Sequence, residues 1–191
     1  MKQFIKLDRE NGNILWWDAV CQEMNSVCPV FEPWEKSEED IPPGYQDNKC
    51  HFIFDINMGD NFLRKTFFVA GGHMTETPAT LTYNYIASRD LVRIPLTIAA
   101  RNGIDILSCN IQNAYLTADC LEKIWTRAGP EFGSDAGTIM IVRNSLYGLK
   151  YRGASFYAHL DETLHVIGFL STKAYPDVWC QPTVKPNIFE Y

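Results

Sequence analysis

No stretch of the 191-residue chain reaches the ~18 consecutive apolar positions that a membrane-spanning helix requires, so no membrane partner is expected. The opening, Met1 to Asp8, lacks the apolar centre of a secretory leader. The six cysteines (Cys21, Cys28, Cys50, Cys109, Cys120 and Cys180) contain no Cys-x-x-Cys, and neither they nor the four histidines fall into zinc-ligand spacing. These absences leave a reduced, intracellular protein with buried thiols, cytoplasmic or nuclear. A basic excess is missing too. The net charge of −6 argues against a freestanding nucleic-acid binder, since such domains present clustered Lys and Arg to phosphate.

What is present is an ordinary globular balance, 46% apolar and 21% charged, in a length that supports one domain with a sizeable core. Residues up to Asn13 read as a tail. Leu15, Trp16, Ala19, Val20 and Met24 recur at helical spacing and predict an amphipathic helix from Leu15 to Val27, with Trp16 and Trp17 as packing residues. Phe31 to Gly44, with its prolines and an acidic run from Glu35 to Asp40, reads as an exposed connector. His51–Ile56 and Lys65–Ala70 predict two strands of a hairpin, turned by Gly59-Asp60-Asn61. Gly71-Gly72-His73 ends the hairpin, and Thr75 to Thr82 reads as a polar loop.

Ser88 predicts the cap of a helix over Arg89–Asn102, closed by Gly103. Pro95 falls inside that helix, where proline costs about 3 kcal/mol unless the helix kinks. The apolar run Ile104–Ile111 predicts a buried strand, followed by a turn at Gln112-Asn113. Leu121–Thr126 and Thr138–Val142 predict two further strands, joined by a Gly/Pro-bearing loop. Ala154–Ile167 predicts a helix stopped by Gly168, and Pro176–Trp179 and Ile188–Tyr191 begin short strands. The fold class is α+β, an antiparallel sheet with packed helices.

Two stretches carry more than fold information. One is Asn110-Ile111-Gln112-Asn113-Ala114-Tyr115-Leu116 at the end of the apolar run; the other is Ser145-Leu146-Tyr147-Gly148-Leu149-Lys150. Together they resemble copia-type retrotransposon reverse transcriptases. That family carries a strand ending Asp-Val-x-x-Ala-Phe/Tyr-Leu and the motif Ser-Leu-Tyr-Gly-Leu-Lys. The second motif is matched at all six positions, whereas in the first the family's metal-binding Asp is Asn110. The resemblance covers residues 17–191 and implies a partial polymerase, fingers-like over 14–103 and an incomplete palm over 104–191.

It also implies a chemistry. Reverse transcriptases add nucleotides by in-line displacement at phosphorus, with Mg²⁺ ions held by one Asp on the first palm strand and the pair in a Tyr-Val-Asp-Asp hairpin. Asn110 offers a neutral carbonyl where Mg²⁺ prefers a carboxylate. Asp105 lies an odd interval away, which on a strand turns it to the opposite face, and Asp119 lies beyond the turn. The expectation is therefore an RNA-directed DNA polymerase by family whose activity is lost here, with no Mg²⁺ held and the Tyr-x-Asp-Asp hairpin absent from the chain.

By the same resemblance Tyr115 lies under the incoming sugar, and Arg64 and Lys65 face template and triphosphate. Gly148 and Lys150 belong to the loop against nucleotide and template. The residues by themselves read equally as a core aromatic at Tyr115 and solvated edge-strand charges at Arg64 and Lys65. Two departures stand out: Phe67 replaces a family Arg, and Tyr151-Arg152-Gly153-Ala154 replaces Gln-Ala-Pro-Arg. The implied partner is an RNA/DNA template–primer, weakly held. The alternative is a non-catalytic nucleic-acid-binding or protein-interaction module, self-associating through an unpaired palm strand.

Overall fold

The computed structural model describes residues 2–72, 88–173, 175–182 and 189–190. The chain divides into two units, one of Met1–Thr82 with Asn113–Phe156, the other of Tyr83–Gln112 with Tyr157–Tyr191.

The first unit begins with two helices, α1 (Lys2–Asn11) and α2 (Leu15–Val27). The expected N-terminal tail is thus a helix, and its residues explain why. Phe4 stacks on Phe54 with ring centroids 3.7 Å apart and meets Trp16 edge-on at 4.8 Å. Asp8, buried on the same helix, reaches the start of α2. Its two carboxylate oxygens accept the Trp16 N–H at 3.1 Å and the Trp17 N–H at 2.9 Å. The orphan donors of the first turn of α2 are therefore capped from eight and nine residues upstream, beyond the reach of local capping rules. α2 follows its predicted span and buries Trp16, Ala19, Val20, Met24 and Val27. Trp17, expected to pack, is 47% exposed.

Four strands form the unit's main sheet in the order β1-β6-β5-β2: β1 (Phe31–Pro33), β2 (Gln46–Asp47), β5 (Ile124–Arg127) and β6 (Ile139–Val142). The β1–β6 and β6–β5 pairs are antiparallel, and β2 joins β5 in parallel. All of β6 is buried, because both faces are covered. Ile124, Met140 and Val142 face the main core with Val20, Met24, Val27 and Phe68. Trp125, Ile139 and Ile141 face a second cluster completed by Trp34, Ile41 and Tyr45. Most of the expected connector is exposed, as its prolines and charges predict, but it is corrected at two places. Phe31–Pro33 is a sheet strand, and the proline-rich stretch after it lays three large side chains over the sheet's outer face.

β3 (Cys50–Asn57) and β4 (Leu63–Ala70) make the predicted hairpin, paired from Cys50↔Ala70 to Asn57↔Leu63. α2 lies along β4: the Thr66 hydroxyl donates to the Ala19 carbonyl at 2.8 Å, and the Glu23 carboxylate accepts the Phe68 N–H at 2.8 Å. The open edge of β4 is thus met at two points, the Phe68 N–H by Glu23 and the Ala70 N–H by the Tyr147 carbonyl at 2.8 Å. All six cysteines are free. Burial pushes the Cys50 and Cys120 thiols up to about 12, so both are inert. Cys28 and Cys109, expected to be buried, are exposed.

In the second unit α3 (Arg89–Asn102) runs through Pro95 as one helix. Ser88 Oγ accepts the Leu91 N–H at 3.3 Å, and Gly103 takes the left-handed conformation at the other end. α4 (Arg152–Val166) spans the boundary of the two units, and β7 (Leu170–Ser171), β8 (Trp179–Pro182) and β9 (Phe189–Glu190) form a small antiparallel sheet. Ile104–Ile111 is not the predicted strand. It has no regular structure, and Ile104, Ile106, Leu107 and Ile111 are exposed. A strand exists through its ladder, and among the described residues none pairs with this run. His73, the loop from Thr75 to Thr82, Ile188 and Tyr191 lie outside the described residues.

Candidate nucleic-acid interface

The period of two along β4 separates the two finger cations. Arg64 shares a face with Thr66 and Phe68, turned towards α2. Its Nη1 donates to the Phe62 carbonyl at 2.6 Å, and its guanidinium lies 5.9 Å over the Trp16 ring. Lys65 shares the other face with Phe67, is exposed, and has Asp55 directly across the ladder. Phe67 meets the Tyr147 ring edge-on at 5.7 Å.

Tyr147 lies within the six-residue motif, and the motif's geometry is set by close backbone approach. Ser145 N–H donates to the Ala118 carbonyl at 2.8 Å, and its hydroxyl to the Asp119 carbonyl at 3.0 Å. Leu146 and Leu149 are wholly buried. Between them Gly148 has φ +92° and lies against the Ala70 carbonyl, so a Cβ there would overlap main chain. Gly72 is equally tight against the Gly148 carbonyl. Two glycines let the loop lie directly on the end of β4.

Tyr115 sits in a 3₁₀ turn, Ala114–Thr117, entered through Asn113 at φ 52°. Its ring meets Tyr147 at 5.6 Å and Phe156 at 6.1 Å, and the Arg152 guanidinium lies 5.6 Å over it. Phe67, Tyr147, Tyr115 and Phe156 thus form a continuous half-buried aromatic row within the first unit. Burial, then the charge of Glu23, raises the Tyr147 hydroxyl's pKa, so it remains a protonated donor at neutral pH. Glu122 Oε1 accepts the Lys150 N–H at 2.9 Å. Half-exposed aromatics beside Lys65 and Arg152 are the combination that stacks bases and attracts phosphate.

Asn110 belongs to the second unit, in the exposed irregular run, with its side chain in solvent. Among the described residues no three His, Cys, Asp or Glu side chains are grouped to hold a metal.

Residues 63–189 match the family model described as "Reverse transcriptase (RNA-dependent DNA polymerase)". The chain belongs to the reverse transcriptase family. It is 39% identical over 147 residues to the Transposon Ty1-DR4 Gag-Pol polyprotein of Saccharomyces cerevisiae, covering 73% of this chain and 9% of that protein. The Ty1-LR2 and TyH3 Gag-Pol polyproteins of yeast match at the same identity, with 8% of their length covered. The chain therefore spans less than a tenth of the length of these curated relatives, and the match shows a copia-type reverse transcriptase domain. No solved structure matches. No helix among the described residues is long and apolar enough to cross a membrane.

Reverse transcriptases employ divalent metal, and the described residues do not fit it: a hard cation needs grouped carboxylates, none are grouped among them, and Asn110 offers only a neutral amide. Asp119 lies in the first unit, where its main chain bridges Asn144, whereas Asn110 belongs to the second. Of the residues singled out by sequence, the structure brings Lys65, Tyr115, Gly148 and Lys150 into one unit and turns Arg64 to the opposite face of its strand. Phe156 and Glu122 had no functional signal in the sequence, and Arg152 stood out there only as part of a departure from the family pattern. Tyr147 had one, its place inside the motif.

Proposed function

We propose that this reverse transcriptase segment, with residues 14–103 as fingers and 104–191 as palm, holds template–primer weakly and does not itself add nucleotides. The observation that carries the reading is Asn110. Transfer to phosphorus in this family is metal-centred, and a neutral amide removes one of the charges that fix the ions. Loss of one such carboxylate costs on the order of 10³-fold, about 4 kcal/mol of barrier. The compartment that fits this role is intracellular, cytoplasmic or nuclear.

The test joins the chain to the C-terminal continuation of a Ty1 Gag-Pol relative and measures Mg²⁺-dependent primer extension. The joined protein as it stands is expected to be silent, and Asn110→Asp to extend. Comparable extension by both would sink the reading. Nucleic-acid holding is tested on the chain itself. Affinity for a primer–template is expected in the ~10⁻⁴–10⁻⁶ M range at physiological salt, and Lys65→Ala lowers it along with the salt slope. Arg64→Ala, which removes a cation already turned to Trp16, leaves the slope unchanged; equal effects at both positions would show the strand faces to be misread.

One observation favours a second reading as an interaction module. Ile104, Ile106, Leu107 and Ile111 are exposed, and only the Ile104 N–H of that run makes a main-chain hydrogen bond among the described residues. An unpaired apolar segment is a template for pairing with another chain. Size-exclusion chromatography across a concentration series is expected to show self-association; a monomer at every concentration removes this reading.

A further inference from the structure

Lys150 closes the six-residue motif and Arg152 opens α4, so the main chain between them decides where both cations are carried. No strand holds that stretch. Glu122 does: its Oε1 accepts the Lys150 N–H at 2.9 Å, and its carboxylate also receives the Tyr151 N–H. Glu122 is a firm anchor because its own segment is fastened to the sheet. Cys120 N–H donates to the Arg143 carbonyl and Ser145 N–H to the Ala118 carbonyl, each at 2.8 Å. Arg152 completes the arrangement, its Nη1 donating to the Leu149 carbonyl at 2.6 Å while the guanidinium covers Tyr115 at 5.6 Å.

A half-buried carboxylate is an expensive way to tie down a loop. Burial raises the pKa of Glu122, and the two N–H groups with the charges of Lys150 and Arg152 offset that only in part. We infer that Glu122 is a positioning residue of the nucleic-acid face, fixing the Lys150–Tyr151 main chain and thereby setting Arg152 against the Tyr115 ring. The inference rests on reading this face as a nucleic-acid surface, yet its geometry can be tested separately. A bare counter-ion would act in the opposite sense: removing a negative charge beside two cations strengthens their attraction for phosphate.

The experiment compares the full chain with Glu122→Ala and Glu122→Gln. It reads amide hydrogen exchange at Lys150 and Tyr151, with amides of β5 and β6 as a fold control, and affinity for a fluorescent single-stranded oligouridylate. Glu122→Ala is expected to speed exchange at both amides by about tenfold or more, the loss of a charge-assisted hydrogen bond, and to weaken oligonucleotide binding severalfold. Glu122→Gln, whose amide oxygen can accept the same N–H, restores most of both. The inference is overturned if Glu122→Ala leaves both amides protected, or if both variants bind the oligonucleotide more tightly. If no variant nor the parent binds, while Glu122→Ala loosens the two amides and Glu122→Gln restores them, positioning stands and the nucleic-acid reading falls. Should Glu122→Ala lose the control amides, Glu122→Asp decides. One methylene shorter, it must loosen Lys150 and Tyr151 with β5 and β6 intact, and protection at both overturns the inference.

Discussion

Replacing Gly148 with alanine separates packing from ligand contact in the six-residue motif. Two costs arise, and a second glycine allows them to be measured apart. At φ +92° an L side chain pays the left-handed penalty, roughly 1–2 kcal/mol. The added Cβ also overlaps the Ala70 carbonyl, which cannot rotate away because Ala70 is paired to Cys50 and donates to Tyr147. Relief requires shifting the loop between Leu146 and Leu149, both wholly buried, at about a further 1–3 kcal/mol. Gly12, at φ +65° after α1, has open space around its Cβ position and carries the first cost alone. Urea unfolding followed by tryptophan emission should therefore show Gly148→Ala destabilised by about 2–5 kcal/mol and Gly12→Ala by about 1–2, with m unchanged. If Gly148→Ala is as stable as the parent while nucleic-acid binding disappears, Gly148 is a ligand contact and the packing argument is wrong.

Asp8→Ala strands two N–H groups at the start of α2 and should cost about 2 kcal/mol in the same titration, with Asp8→Asn in between; a loss under about 0.5 kcal/mol would show that α1 is not the cap. Glu23 has its pKa raised by burial, against the partial offset of the Phe68 N–H, so the folded state binds the proton more tightly than the unfolded one. Its contribution to stability is present below its ordinary 4.5 and lost as pH rises through the raised value. Glu23→Gln, which retains an acceptor for Phe68, should match or exceed the parent at pH 7 and lose this advantage as pH falls towards 4.5. A Glu23→Gln gap that does not change with pH would contradict the assignment.

Elements whose determinants are local were legible in the sequence. α3 is the clearest case, because a Ser88 cap, an amphipathic body and a Gly103 stop all lie within one stretch of chain. The β3–β4 hairpin is another, with strand patterns flanking their own turn. α1 was missed because its stabilisation is nonlocal: Phe4 needs Phe54, and Asp8 caps a helix other than its own. Phe31–Pro33 was missed for the same reason, since three residues become a strand only by pairing with β6, far along the chain. Ile104–Ile111 failed in the opposite direction. Its composition suits a buried strand, but composition does not supply a ladder partner.

Position 67 shows how the candidate site divides between inherited chemistry and packing. The family pattern calls for a cation there, and the alternation of β4 places it on the Lys65 face, beside Tyr147. An arginine at that point would set a positive charge over the aromatic row. Phe67 instead extends the row by one more ring, edge-on at 5.7 Å. Arg64 cannot replace the lost charge, because one step along a strand carries it to Trp16 on the opposite face. Positive charge on this face must then come from Lys65 on one side and from the Lys150–Arg152 stretch on the other. The second of these is held in place by a carboxylate, so the net attraction for phosphate is small even locally. On the proposed nucleic-acid reading, base stacking, which requires ring faces rather than net charge, would then contribute more to binding than phosphate attraction.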